Sequence, residues 1–302
     1  MKTSLQILTT FFLSISFTSC SSQSDALIAE GAELVQVSNE YSFTEGPASD
    51  TDGNVYFTDQ PNDKILKWNA KDNSITVFKE PSGRANGLYL DNDGNILAAA
   101  DEKNEIWRID KKGNVDTLIT DFEGKKLNGP NDIWVDSKGG IYLTDPYYQR
   151  PYWERTAPDI TEKQVYYISP GTKSLNVVAE DFVQPNGIIG TADGKTLYIA
   201  DAGDQKTYSY PINPDGSLGS RKLFTAMGSD GMTLDNKGNV YLTGRGVTIF
   251  NPNGEKIQHI PIDEDWTANV TFGGPEQDVL FITAKSSVYT LKMNVHGVRY
   301  SK

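Results

Sequence analysis

Glu45-Gly46-Pro47-Ala48-Ser49-Asp50-Thr51-Asp52-Gly53-Asn54-Val55-Tyr56 joins a polar opening residue to a short apolar stretch, a glycine turn and the start of an alternating strand. Turn residues between two short runs of this kind mark a hairpin. The unit returns as Asn86-Gly87-Leu88 through Asp93-Gly94-Asn95-Ile96-Leu97, and as Asn131-Asp132-Ile133 through Lys138-Gly139-Gly140-Ile141-Tyr142. Asn186-Gly187-Ile188 through Asp193-Gly194-Lys195-Thr196-Leu197 and Asp230-Gly231-Met232 through Lys237-Gly238-Asn239-Val240-Tyr241 are two more. A degenerate sixth runs from Asn269 through Glu276-Gln277-Asp278-Val279-Leu280. Turn positions 53, 94, 139, 194, 238 and 277 are spaced by 41, 45, 55, 44 and 39 residues. A period of that length holding several short strands belongs to a β-propeller.

Two further alternating runs follow each hairpin, such as Ile65-Leu66-Lys67-Trp68 and then Ile75-Thr76-Val77-Phe78. Four strands make a blade. The last unit ends after its third strand, Val288-Tyr289-Thr290-Leu291, while Glu33-Leu34-Val35-Gln36-Val37 precedes the first unit with no partner of its own. Pairing that N-terminal strand into the sixth blade closes the ring and removes exposed edges. The expected fold is therefore all-β: a six-bladed propeller of four-stranded blades over residues 33–302, with no separable second domain.

Composition agrees with a folded chain and narrows the function. Of 302 residues 37% are hydrophobic and 23% charged, enough apolar side chain for a core and not the balance of a disordered chain. With 28 Lys+Arg against 40 Asp+Glu the net charge is −12, which argues against the basic surface that nucleic acids require. The single cysteine, Cys20, excludes a disulfide framework and a thiolate cluster, and the two histidines, His259 and His296, lie close to the C-terminus. Metal chemistry, if present, rests mainly on oxygen ligands.

The N-terminus reads as an address. Lys2 is followed by an apolar run from Leu5 to Phe17, the length of a signal-peptide core and too short for a good membrane span. Phe17-Thr18-Ser19-Cys20 then resembles a bacterial lipoprotein cleavage box, with Phe17 in place of the usual Leu. The expectation is a signal peptide over 1–19, a lipid anchor at Cys20, a tether over 20–32 and a cell-envelope location, periplasmic or attached to the outer membrane. An ordinary secretory signal is the alternative. The only membrane contact expected is that anchor.

Eight residues before each turn position stand Glu45, Asn86, Asn131, Asn186, Asp230 and Asn269. This place opens the innermost strand, so the copies should meet at one mouth of the central channel. Asn and Asp are common at strand starts for purely local reasons, but six carboxylates or carboxamides in one register point to a polar site. Two carboxylates with several amide oxygens suit a hard cation, Ca²⁺ first, with Zn²⁺, Mg²⁺ or Mn²⁺ as alternatives. Asp59, Asp101, Asp145 and Asp201 recur at the end of the second strand, where a structural hydrogen bond is the expected role and support of the ligands the alternative. The Asp-Gly turns are read as hairpins without chemistry. The strand directions bring the third unit's long insertion, Pro146 to Lys163, to the ligand mouth. With Tyr147, Tyr148, Arg150, Tyr152, Trp153 and Arg155 it reads as a lid or pocket wall.

Phe43-Thr44-Glu45-Gly46-Pro47, Gly129-Pro130-Asn131-Asp132 with Val135-Asp136, Gln184-Pro185-Asn186-Gly187 and Ser229-Asp230-Gly231-Met232 together resemble the SMP-30/gluconolactonase/luciferin-regenerating-enzyme family, with six-bladed calcium-dependent phosphotriesterases as relatives. The resemblance implies Glu45, Asn186 and Asp230 as direct metal ligands, Asn131 as a fourth ligand or a water-mediated one, and hydrolysis of a lactone such as gluconolactone. Some sugar-lactone members carry Arg two residues before the Asn at 131. Here that place is Gly129, leaving Arg150 and Arg155 as candidates for the missing contact. Asn86, Asn131, Asn269, Tyr147, Arg150 and Arg155 are the expected substrate-binding set. Asp230 is the candidate general base, since neither histidine falls in the repeat register. Two rivals stand beside the lactonase: a phosphotriester or other ester hydrolase at the same metal, and a non-catalytic carbohydrate- or ligand-binding propeller.

Overall fold

A computed structural model describes residues 26–298. The expected signal peptide, Cys20 and the first part of the expected tether lie outside them. The chain forms six four-stranded antiparallel sheets arranged as a propeller, and among the described residues the helical structure is one 3₁₀ turn, Gln60–Asn62. The innermost strands are Thr44–Ser49, Ala85–Leu90, Ile133–Val135, Pro185–Gly190, Met232–Leu234 and Asn269–Gly273. Within five blades strand order follows the sequence. In the sixth, Val35–Ser38 forms the outer edge against Ser287–Lys292, so the two ends of the chain close one sheet as expected.

The expected tether over 20–32 needs correcting in its described part. Leu27 is buried in the core of the sixth blade, Ile28 bridges to Met293, and Ala29 N–H donates to Lys292 O at 3.1 Å. Burial of Leu27, with Ile28 and Ala32 packed beside it, draws the segment onto the blade, and so short an apolar group carries no period from which to read this.

The hairpins are held by a different aspartate from the one beside the glycine. Asp50 N–H donates to Asn54 O, Gly53 N–H donates to Asp50 O, and Asp50 Oδ1 accepts from the N–H groups of Asp52 and Asn54. Asp91 repeats these contacts around Gly94, and Asp136 and Asp235 hold the turns at Gly139 and Gly238. This is the three-residue loop with glycine in the left-handed position, Gly53 having φ 86.

Apolar side chains on the sheet faces pack between neighbouring blades. At the closure Phe57 of the first blade meets Phe281 of the sixth at 5.6 Å between ring centroids, and Trp68 meets the same ring at 5.4 Å. The second strands carry threonines that bind neighbouring blades at the site mouth. Thr58 Oγ1 donates to Asn86 O at 3.0 Å and Thr243 Oγ1 to Ala268 O at 2.8 Å. These bonds fix the height at which the innermost strands begin.

Candidate functional site

Three of the innermost strands start from a loop held by a buried carboxylate. Asp59 accepts from Ser42 and Phe43 N–H, Asp145 from Asn128 and Gly129, and Asp201 from Val183 and Gln184. Two such bonds per carboxylate leave little freedom to the residues that follow, which are the site residues. Glycines let these residues crowd together. A Cβ at Gly231 would stand 1.9 Å from Asn269 Oδ1, and one at Gly46 would stand 2.1 Å from Asn86 O. The Glu-Gly, Asn-Gly and Asp-Gly pairs therefore allow neighbouring blades to meet closely at the axis.

Glu45, Asn86, Asn131, Asn186 and Asn269 are buried, and Asp230 is partly buried. Asn269 Nδ2 donates to Glu45 Oε2 at 3.1 Å, and Gly46 N–H donates to the same oxygen at 2.7 Å. Asn186 Nδ2 donates to Asp230 Oδ1 at 2.7 Å, while Trp266 Nε1 donates to Asp230 Oδ2 at 2.6 Å. Asn131 joins the ring through its backbone, its carbonyl accepting from Gly87 N–H at 2.8 Å. Thus the register groups the residues in two linked pairs, Glu45 with Asn269 and Asp230 with Asn186.

Electrostatics tie those pairs together. Burial, and then the charge of Asp230, push the Glu45 carboxyl well above its ordinary range. Burial pushes Asp230 up to about 6, against the opposing pull of its Trp266 and Asn186 donors. A third carboxyl, Asp132, is pushed by burial up to about 7 and feels Asp230 as well. Acids gathered in this way disfavour full ionisation unless positive charge joins them.

The donor set fits a hard cation. Asn86 Oδ1 and Asn186 Oδ1 are buried without a hydrogen-bond partner, an unfavourable state for an amide oxygen unless something else satisfies it. Among the described residues no three His, Cys, Asp or Glu side chains form a metal-holding group. What the mouth offers is carboxylates supplemented by amide oxygens, the donors that Ca²⁺ takes.

The insertion after the third blade's second strand covers this mouth. Tyr148 OH accepts from Asn186 Nδ2 at 3.0 Å, and the Tyr147 carbonyl accepts from Gln184 Nε2 at 3.1 Å. Arg150 pairs with Asp101 at 3.0 Å and lowers the proton affinity of Asp230 through its charge. Arg155 Nη2 donates to Asn128 O at 2.5 Å, and its guanidinium lies over the rings of Trp153 at 4.4 Å and Tyr147 at 5.4 Å. Arg150 is therefore the lid arginine whose charge reaches Asp230, while Arg155 stacks within the lid.

A cavity of about 710 Å³ opens on the opposite, turn-bearing face and ends at Asp132 and Asn269. Its walls include Leu88, Ile133, Trp134, Ile188 and Phe272. The paired acids, Glu45 and Asp230, lie outside its walls, so capacity does not place the chemistry. Register reasoning missed three residues that touch or charge the mouth: Trp266, Asp132 and, as a partner of Asn186, Tyr148. Trp266 sits in a connecting loop that no repeat fixes, whereas Asp132 stood in a quoted motif but one step out of register.

Residues 43–286 match the family described as SMP-30/Gluconolactonase/LRE-like region. The chain is 26% identical to a gluconolactonase of Zymomonas mobilis, over 90% of this chain and 85% of that one. It is 31% identical to a 6-deoxy-6-sulfogluconolactonase of Pseudomonas putida, over 76% and 78% of the two chains. The fold superposes on a gluconolactonase structure from Xanthomonas campestris with a TM-score of 0.82 at 27% identity, covering 89% of this chain and 91% of that one.

Proposed function

The chain belongs to the SMP-30/gluconolactonase/LRE-like family, and from that premise we propose that it hydrolyses a sugar lactone, of the gluconolactone kind, with the help of one divalent cation held at the propeller mouth. Lactone hydrolysis is the activity its named relatives share. The observation that carries the metal is the unpartnered amide oxygen of Asn186, in one ring with two electrostatically coupled carboxyls. Glu45, Asn131, Asn186 and Asp230 would hold the cation, Ca²⁺ being the best match to all-oxygen donors. Bound there, it supplies Lewis acidity to the lactone carbonyl and compensates negative charge that develops on oxygen.

The protein's own groups do the remaining work. Asp230 takes the proton of the attacking water, and its position near neutrality suits a general base. Asn186 and Trp266 orient its two oxygens from opposite partners. Glu45, fixed by Gly46 and Asn269, serves as a ligand rather than a proton acceptor. Tyr148 and the lid enclose the mouth, which limits water to the molecules that the site holds and strengthens each polar contact inside. Asn86, Asn131, Asn269, Tyr147, Arg150 and Arg155 remain the proposed contacts of the sugar hydroxyls. Export and anchoring through Cys20 would place this chemistry in the cell envelope. No helix among the described residues is long and apolar enough to cross a membrane.

Acid release from aldonolactones, aryl esters and phosphotriesters, each with and without EDTA, tests the reading. Lactone turnover that chelation removes is the expected result, with Asp230→Asn lowering kcat at least about 10³-fold while the thermal transition persists. Full activity in that variant would remove Asp230 as base. Turnover indifferent to chelation would remove the metal, and saturable lactone binding without acid release would leave a binding module.

A further inference from the structure

Asp59, Asp101, Asp145 and Asp201 occupy one register at the end of the second strand, but they do not share one task. Asp59, Asp145 and Asp201 each accept from two backbone N–H groups of the loop leading into their own blade. In the second blade that loop is held by another residue. Asp63 Oδ1 accepts from Ser82 N–H at 2.9 Å, Arg84 N–H at 2.7 Å and Ser82 Oγ at 3.0 Å. Asp101 is thereby released from the duty its repeats perform.

Its carboxylate turns instead to the lid of the neighbouring blade. Asp101 Oδ2 accepts from Arg150 Nε at 3.0 Å, Tyr152 OH at 2.5 Å and Gln60 Nε2 at 3.3 Å, and the Asp101 carbonyl accepts from Trp153 Nε1 at 2.8 Å. The side chain is 2% exposed. A carboxylate so enclosed is tolerable only with strong donors; two of its three partners come from one insertion, which also supplies the donor to the Asp101 carbonyl. Burial raises its proton affinity, and Arg150 and Tyr152 oppose that rise.

The room that Gly129 leaves completes the seat. A Cβ there would stand 2.8 Å from Trp153 Cη2 and 3.0 Å from Asp101 Oδ1, and its φ of +143° is one that glycine tolerates best. The indole of Trp153 therefore uses space that any other residue at 129 would take. From this seat the chain runs back to Tyr148, which meets Asn186 at the mouth.

We propose that Asp101 is a positioning residue: a latch, diverged from three structural repeats, that pins the 146–163 insertion through Arg150, Tyr152 and Trp153 so that Tyr148 and Arg150 stay over the site. Its effect on turnover rests on the lactonase reading; its hold on the lid does not.

Trypsin separates the two. Arg150 precedes Pro151, which protects that bond, so Arg155-Thr156 is the reporting site in the lid. In full-length Asp101→Asn, cleavage between 155 and 156, followed by mass spectrometry, should accelerate about tenfold or more, as expected when a charged hydrogen-bonded pair that holds a segment closed is lost. KM for the lactone should rise by a similar factor, with kcat changed by no more than about twofold. Tyr152→Phe should move both readouts in the same direction by less, and it decides the matter if Asp101→Asn does not fold. Asp201→Asn, which loses a loop tether, should lower the melting temperature and leave 155–156 cleavage unchanged. Unchanged cleavage in both lid variants, or equal acceleration in Asp201→Asn, would overturn the latch. Absence of lactone turnover in the unmodified protein would overturn the lactonase reading, while the cleavage rates would still decide the latch.

Discussion

Trp266 gives the Asp230 carboxylate a 2.6 Å hydrogen bond from a ring that is 40% exposed, an unusual use of a large apolar side chain. The indole N–H can only donate, so it favours the ionised base and fixes Oδ2 while Asn186 fixes Oδ1. Trp266→Phe should lower kcat about tenfold, the value of one hydrogen bond to a charged group at the low end of its range, with little change in melting temperature. An unaltered kcat would leave Trp266 as a wall only. Gly129 presents the opposite case, a residue defined by what it lacks. Gly129→Ala should displace Trp153 and cost about 1–3 kcal/mol in thermal unfolding, because both the backbone angle and the contact are unfavourable. An alanine variant as stable as the parent would mean that the lid yields easily. At this scale the sequence was informative wherever a repeat supplied a ruler. Glu45, Asn186, Asp230 and Asn269 could be counted back from their turns, whereas Trp266 lies between Ile260 and Asn269 in a connection with no counterpart.

Among elements, the closing strand shows how local pattern and topology combine. Alternation over 33–37 marked a strand, and the missing fourth strand of the sixth blade told where it belongs; Val35 pairs with Thr290 and Gln36 with Tyr289. Gln36 Nε2 adds bonds to Ser287 Oγ at 3.2 Å and Tyr289 OH at 3.1 Å. The preceding segment was illegible because its hold is one buried leucine, a few neighbouring apolar contacts and backbone hydrogen bonds, and period arguments need a longer run. Leu27→Ala should cost about 2–3 kcal/mol, lowering the melting temperature by roughly 3–6 °C in a domain of this size. A chain that starts at Asn39 should lose more, and aggregate, since the outer edge of Ser287–Lys292 would lie open. If that shortened chain melted with the parent, the ring closure would be ornamental. The hairpins carry the same lesson in smaller form: the glycine was visible, but the carboxylate three residues before it does the holding, because only it can reach two N–H groups across the loop.

Across the whole molecule, the propeller concentrates acids that a chain of net charge −12 already has in excess. Asp132 and Asp145 are pushed up to about 7 and Asp230 to about 6, and Glu45 is raised as well, in each case first by burial. These groups bind protons more tightly folded than unfolded, where an aspartate titrates near 4. Stability therefore includes a contribution that is present at low pH and is lost as pH rises from about 4 through about 7. The chelated protein should accordingly melt at least about 5 °C lower at pH 8 than at pH 5, a difference worth a few kcal/mol in a domain of this size. A divalent cation reverses the balance, because it favours the ionised carboxylates and must displace protons to bind at low pH. Calcium at millimolar concentration should raise the melting temperature more at pH 8 than at pH 5, as read by paired calorimetric scans with and without EDTA. A larger rise at pH 5, or none at either pH, would mean that the raised carboxyls are not the cation's ligands. The four-blade spread from Glu45 to Asp230 would then need another purpose, since nothing in a β-propeller's stability requires acids to gather at its axis.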